Sequence, residues 1–298
     1  MKKFIKIIGF ILAIGVLGIG LSPLLPHRET LPKVAKINKT TYRLQEGLSK
    51  MNMYLLIGKK KALLIDTGEG YSKVDEAVKK LTDLPVTVVN THAHFDHVGG
   101  DKLFKNVYMN KTDFSTYKTY TNKKTIATLF DNTPWIFRYI SRRERNATIK
   151  QATTLNLKPL PKKGYFDLGN RKISFLSTPG HTSGSIVLYD KKNHILFNGD
   201  TGNKADYLLR VPRALSVQTA NSSFHNLYAF IKRNKIKKLY PGHDAMGINP
   251  HIIKDYERAS QDILDGKISN QDKKNGKYSA HGVTITFYAD KIKNTQEH

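Results

Sequence analysis

The chain has 298 residues, with 49 Lys and Arg, 24 Asp and Glu, 11 His and no cysteine, for a formal net charge of +25. Its length suffices for one large domain or two small ones around a buried core. The missing thiol excludes disulfides, Cys-ligated zinc, iron–sulfur clusters and a cysteine nucleophile, and the charge suits an anionic neighbour or simply a lysine-rich surface.

From the N-terminus, Lys2, Lys3 and Lys6 precede an uncharged run over 7–25. Nineteen helical residues rise about 28 Å, close to the hydrocarbon thickness of a bilayer. The best small-x-small cleavage pattern, Gly18-Ile19-Gly20, lies inside the run. Residues 1–29 therefore read as an uncleaved transmembrane signal anchor and linker, with the folded body membrane-anchored outside the cytoplasm. Secretion after signal cleavage is the alternative.

Residues 30–298 read as one α/β domain. Strands are expected at 51–57 and 62–65 around the turn 58–61, the second ending at Asp66-Thr67-Gly68. Ser72 and Asp75 resemble a capping box for a helix carrying Val74, Val78 and Leu81. A β-branched strand over 86–90 runs into His92. A second series follows, with strands at 172–176, 185–189 and 194–197, a helix at 222–233 and a strand at 236–240. Asn249-Pro250 marks the start of a helix to about 265, with Gly266 past its end, and 283–288 reads as a closing strand. The two series suggest two similar halves of one fold.

The chemistry gathers where these strands end. Thr91-His92-Ala93-His94-Phe95-Asp96-His97 places four potential ligands within six residues. Imidazole and carboxylate without thiolate suit zinc, manganese, iron or cobalt in a working site rather than a structural zinc. Three further strand ends carry the same residue types: Pro179-Gly180-His181-Thr182, Gly199-Asp200-Thr201 and Pro241-Gly242-His243-Asp244. Each holds a glycine, which lets backbone approach a crowded centre.

These motifs, in this order, resemble the metallo-β-lactamase-fold hydrolase superfamily over about 34–265, on a glyoxalase II-like or lactonase-like pattern. The resemblance implies a four-layer αββα sandwich with a two-metal centre at the edge between its sheets. It implies that His92, His94 and His181 hold one divalent ion, that Asp96, His97 and His243 hold the second, and that Asp200 bridges them. Zinc is the first choice of metal. Seven nitrogen and oxygen ligands are too many for one tetrahedral ion and suit two ions sharing a water. Lactamases proper carry Cys or Ser where Asp200 stands, which disfavours β-lactam hydrolysis. Redox relatives commonly carry Glu in place of the second motif histidine, so His94 favours a hydrolase. The implied reaction is attack by a metal-bridging hydroxide on a small ester, thioester or lactone, with Asp96 and Asp200 as the catalytic carboxylates and Asp96 a carrier of the leaving-group proton.

Other residues receive plainer readings. Asp66 is expected to hydrogen-bond a ligand or its loop. His27, His194, His225, His251, His281 and His298 lack ligand-like context, with His225 the first exception to consider. Tyr207 and Arg210 read as parts of a solvent-facing loop. A nucleophilic Ser183 or Ser185 beside His181 fails, because a metal-bound histidine is no free base. Residues 101–166 form a basic, aromatic insertion expected to cap the site, with 14 basic against four acidic residues over 101–163. Such a surface suits an anionic membrane or, less favoured, nucleic acid. A phosphodiesterase or nuclease is therefore the alternative activity, and a binding module on a degenerate fold is disfavoured by the intact ligand set. The partners expected are a small-molecule substrate and the membrane; the sequence leaves oligomeric state open.

Overall fold

Residues 51–65 are apolar on nearly every position outside the turn, as strands covered on both faces require. The computed structural model, which describes residues 31–46, 50–70, 72–131, 146 and 153–294, places them at the centre of a seven-stranded sheet. That sheet runs β1 (Lys33–Asn38), β2 (Thr41–Glu46), β3 (Met51–Ile57), β4 (Ala62–Ile65), β5 (Val86–Val89), β6 (Val107–Met109) and β7 (Lys158–Pro159), in spatial order. β1 to β4 pair antiparallel and β4 to β7 parallel. The parallel step from β4 to β5 is made over helix α1 (Val74–Lys79).

Side-chain alternation then sorts the core. Tyr54, Leu56, Leu63, Ile65 and Val89 face a second sheet, while Met53, Leu55, Leu64 and Val88 face Val74, Ala77 and Val78 of α1. The second sheet contains β8 (Tyr165–Asp167), β9 (Lys172–Ser177), β10 (Ile186–Asp190) and β11 (Ile195–Gly199). The chain leaves it for the two-residue β12 (Tyr207–Leu208) and returns as β13 (Lys238–Pro241), giving the order β13-β11-β10-β9-β8. β12 joins β14 (Lys277–Ala280) and β15 (Val283–Thr286) in a third sheet.

The helices complete the frame. α2 (Phe95–Val98) carries Asp96 and His97, and α3 (Phe114–Tyr120) and α4 (Lys123–Asp131) follow β6. α5 (Val217–Asn234) and α6 (Ile252–Leu264) cover the outer face of the second sheet, with Phe224, Leu227, Ile253 and Tyr256 packed near Val187 and Leu196. α7 (Asn270–Asn275) precedes β14 and carries a capping box from Ser269 to Asp272. A buried ion pair locks the far end, where Arg171 contacts Asp190 Oδ2 through Nη2 at 2.5 Å and Thr41 Oγ1 at 2.7 Å.

Several expectations need correcting. The sandwich led by a transmembrane helix gives way to a mixed, sheet-rich α/β fold with an added third sheet, and among the described residues no helix is long and apolar enough to cross a membrane. The run over 7–25 lies outside the described residues. The signal anchor, the membrane as a partner, the placement outside the cytoplasm and the alternative of secretion therefore have no support in the fold. At Ser72 no capping box forms: Lys73 is the N-cap of α1 and no side chain caps it. Helix α5 starts at Val217 because Ser216 Oγ accepts from the Thr219 amide, one turn and more before the expected start. Within 101–166, β6 and β7 are strands of the first sheet; Trp135 and Arg142 to Arg145 lie outside the described residues.

Candidate metal centre

Five chain segments end beside one another where the two sheets meet. The Ile186 amide donates to Thr91 O at 2.9 Å, the Gly242 amide to Gly199 O at 2.8 Å and the Asn52 amide to Gly242 O at 2.6 Å. Tyr54 Oη adds a bond to Pro241 O at 2.7 Å. Glycine is required at two of these approaches. A Cβ on Gly199, whose φ is +48°, would lie 2.7 Å from Thr91 Oγ1, and one on Gly242 would lie 2.7 Å from Asp200 Oδ1.

All seven residues singled out in the sequence converge there. Ligand-type atoms of His92, His94 and His181 lie within 4.8 Å of one another, and so do those of Asp96, His97 and His243. His92, His97 and Asp200 form a third such group between them. Asp200 faces both sides: Oδ2 is 3.4 Å from His181 Nε2, and Oδ1 is 3.5 Å from His97 Nε2 and 3.6 Å from His243 Nε2. Asp96 Oδ2 lies 3.3 Å from His243 Nε2.

Hydrogen bonds from behind set the ring orientations. His181 Nδ1 donates to Leu208 O at 2.7 Å and His97 Nδ1 to Asp66 Oδ2 at 2.8 Å, so each turns Nε2 inward. Asp66 also accepts from the Thr91 amide at 2.7 Å and Thr91 Oγ1 at 2.8 Å, as expected for a residue that fixes a ligand and its loop. Its φ of +59° is a left-handed conformation that Asp tolerates better than most residues. Nε2 of His94, His97 and His181 and Oδ1 of Asp200 are buried without any hydrogen-bond partner. Leaving such atoms unpaired costs on the order of 1–3 kcal/mol each. A cluster of orphaned imidazole nitrogens and a carboxylate oxygen fits divalent cations of the zinc type.

Electrostatics separate the two groups. Burial first, and neighbouring imidazoles second, hold His92 and His94 well below the ordinary imidazole range. Burial opposes charge on His97 and His243 too, but Asp200 and the other carboxylates outweigh it, raising His97 well above its ordinary value and His243 to about 9. Loss of solvent opposes charge on Asp96 and Asp200, which are only partly exposed, yet His97 and His243 keep them well below the usual carboxylate range.

The remaining sequence candidates separate from this centre. His225 pairs with Glu257 at 3.0 Å, His281 with Asp262 at 2.8 Å and His251 with Asp255 at 3.5 Å, while His194 meets Asn234 O. His27 and His298 lie outside the described residues. Ser185 Oγ bonds within its own turn to Thr182, and Ser183 Oγ shares its one proton between Thr112 O and Asp113 Oδ1. Arg210 is exposed and donates to Asn275 O. Tyr207 corrects its sequence reading: it is 1% exposed and its Oη accepts from the His181 amide at 3.0 Å.

Three residues escaped sequence reading. Tyr120 packs edge-on against His94 with ring centroids 4.7 Å apart, and burial foremost raises its hydroxyl to about 12. Asp101, fully buried, accepts from Thr67 and Asn90 behind the Asp66 turn, and burial pushes its carboxyl to about 8. Asp113, also buried, bonds to both loops that carry the first histidine group. Above the centre opens a cavity of about 380 Å³, walled by Phe95, Tyr120, Leu208, Val211 and Pro212 beside the ligand-type residues.

The comparisons with known proteins agree with this geometry. Acyl-coenzyme A thioesterase MBLAC2 of Gallus gallus is 27% identical over 219 residues, covering 67% of this chain and 75% of its own length. The "Probable metallo-hydrolase YqgX" of Bacillus subtilis is 29% identical over 159 residues, covering 53% of this chain and 69% of its own. Among solved structures, the DIM-1 metallo-beta-lactamase aligns with a TM-score of 0.56 at 16% identity, over 80% of this chain and all of that one. A metallo-beta-lactamase family protein from Thermus thermophilus gives 0.55 at 19%, over 78% and 82%. At those identities the structures speak for the fold alone. The hydrolase relatives support a metal-dependent hydrolase with a small-molecule substrate. Residues 48–243 match the family model described as the metallo-beta-lactamase superfamily, so the His- and Asp-lined centre sits where two sheets meet in a chain that belongs to that superfamily.

Proposed function

We propose that this chain hydrolyses small acyl thioesters with two divalent ions, zinc first among them. His92, His94 and His181 hold one ion, Asp96, His97 and His243 the other, and Asp200 stands between them. The observation that carries the substrate reading is the cavity wall. Phe95, Leu208, Val211 and Pro212 offer apolar surface to an acyl group, and no lysine or arginine is among the described residues lining the cavity. The lining thus offers no side-chain cation to track the flanking phosphates of a nucleic acid. The thioesterase relatives favour the same reading.

Two divalent ions, when bound, supply a water of lowered pKa and Lewis acidity at a carbonyl oxygen. The chain's own residues do the rest. Asp200 sets the spacing of the two groups, because one oxygen serves each side. Asp66 and Leu208 O keep the His97 and His181 rings in the tautomer that presents Nε2. Asp96, an ionised carboxylate with its side chain 18% exposed, lines the cavity and is placed to take the proton that the attacking water gives up and pass it to the departing thiolate. The balance is simple: the acyl carbon gains a hydroxyl and loses sulfur, and the products are a carboxylic acid and a thiol. Residues 30–298 act in this proposal as one hydrolase domain. The 101–166 region contributes Tyr120 to the cavity and borders substrate access.

The test is turnover by the zinc-loaded chain of acetyl- and octanoyl-CoA, a γ-lactone and bis-p-nitrophenyl phosphate. Thioester cleavage exceeding the other two by at least about tenfold is expected, a margin of roughly 1.4 kcal/mol in the barrier. Preferential cleavage of the phosphodiester would overturn the reading.

A further inference from the structure

One buried carboxylate ties together the two loops of the first histidine group, and the reaction proposed above gives it no task. Asp113 follows β6 at the foot of α3 and is fully buried. It occupies the N-cap position of α3, yet its side chain makes no capping bond to that helix. All its capacity goes across the chain instead. Oδ2 accepts from the Ala93 amide at 3.1 Å and from Thr182 Oγ1 at 2.6 Å. Oδ1 accepts from the Gly184 amide at 2.7 Å and from Ser183 Oγ at 3.2 Å. Ala93 lies between His92 and His94, and Thr182 follows His181, so four bonds from one residue span both loops.

The packing leaves little slack. A Cβ on Gly184 would lie 2.6 Å from both Cβ and Cγ of Asp113, so the absent side chain is what lets the second loop seat on the carboxylate. At its other end α3 places Tyr120 against the His94 ring. The Asp96, His97 and His243 group receives no bond from Asp113; its backing comes from Asp66.

We propose that Asp113 is a positioning residue that fixes the separation of the His92–His94 loop from the His181 loop, and so sets metal affinity at the first group selectively. The chemistry demands a carboxylate. Each oxygen accepts from a backbone N–H, so an Asn at this position must turn its own NH2 group against one of those donors. Asp113→Asn is therefore expected to fail nearly as badly as Asp113→Ala, although it keeps size and burial.

This inference rests on the two-metal reading, and the experiment separates the two. Zinc affinity is measured on the full chain by competition with a chromophoric chelator, with native mass spectrometry counting bound ions. Wild type, Asp113→Ala, Asp113→Asn and the milder Thr182→Val are compared, alone and combined with His181→Ala or His243→Ala. Asp113→Ala and Asp113→Asn should each weaken one of two zinc equivalents by about 10–100-fold. Thr182→Val should weaken the same equivalent by less and serves if the Asp113 variants do not fold. In the His243→Ala background the remaining equivalent should be lost, whereas in the His181→Ala background Asp113→Ala should add nothing. Equal weakening of both equivalents, or an intact first equivalent in Asp113→Asn, overturns the inference. Wild-type protein that binds no zinc would instead overturn the two-metal reading itself.

Discussion

The two ligand groups that flank Asp200 use the same ring and differ in what stands around it. His92 and His94 face other imidazoles and burial holds them neutral, so these two offer lone pairs with no proton to displace. His97 and His243 face carboxylates, Asp200 foremost, which keep them protonated, and they in turn hold Asp96 and Asp200 ionised. The backing differs as well: Asp113 reaches the first group through backbone and a hydroxyl, whereas Asp66 grips a ligand ring directly. The first group is thus preformed for a cation, and the second exchanges protons for one.

The sharpest way to break this comparison is to remove what the groups share. Asp200→Ala should lower kcat/KM by about 10³, the size of several kcal/mol of lost charge stabilisation, with both zinc equivalents weakened. Loss confined to one equivalent would mean that Asp200 belongs to one group alone. Next in size is Asp66→Ala, which frees the His97 ring. Zinc affinity of the second group should fall by about 10–100-fold and that of the first by less, because Asp66 reaches the first only through Thr91, whose Oγ1 lies 3.1 Å from His92 Nδ1; the same chelator competition reads both.

Much of this site was legible in the sequence, and the reason is local. Ligands set within one or two residues of each other, as in His92 to His97, make a pattern that chance seldom produces, and Gly before His181, Asp200 and His243 marks close approach. Tyr207 was misread because its burial comes from β12 pairing with β15, nearly eighty residues onward. Asp113 stands among Lys and Thr with no periodicity around it, and its meaning exists only once the His181 loop folds onto it. Helix α5 could have been begun correctly, since Ser216 ahead of Val217 is a cap signal in plain view. The apolar run over 7–25 is long enough for a membrane span by length alone but lies outside the described residues, among which no helix is long and apolar enough to cross a membrane.

Proton linkage sharpens the contrast further. With His243 at about 9, a cation entering the second group at pH 7 must displace a proton. Zinc affinity there should weaken by about tenfold per unit as pH falls below 9, for each proton displaced. His92 and His94 are already neutral and should add no such dependence to the first group between pH 8 and pH 7, so its slope should be the shallower. Zinc titrations at pH 6, 7 and 8 on His181→Ala and His243→Ala isolate the two responses. Parallel slopes would erase the distinction.

The smallest expected effect lies behind the second group. Asp101 has a folded pKa of about 8, above its unfolded value, so the fold favours its protonated form. Its proton is held in both states below about pH 4 and released only by the unfolded chain between about 4 and 8, so stability falls across that window as pH rises. Asp101→Asn should remove this slope. The Tm of the variant relative to wild type should rise from pH 5 to pH 8 by about 2–4 °C per kcal/mol involved. A constant difference would show that Asp101 is ionised in the fold.

The central claim, that seven residues hold two divalent ions, is met most directly by zinc content after equilibrium dialysis, determined by inductively coupled plasma mass spectrometry. Two equivalents per chain are expected for wild type and fewer than two for His181→Ala and His243→Ala. A single equivalent in wild type, unchanged in His243→Ala, would contradict it.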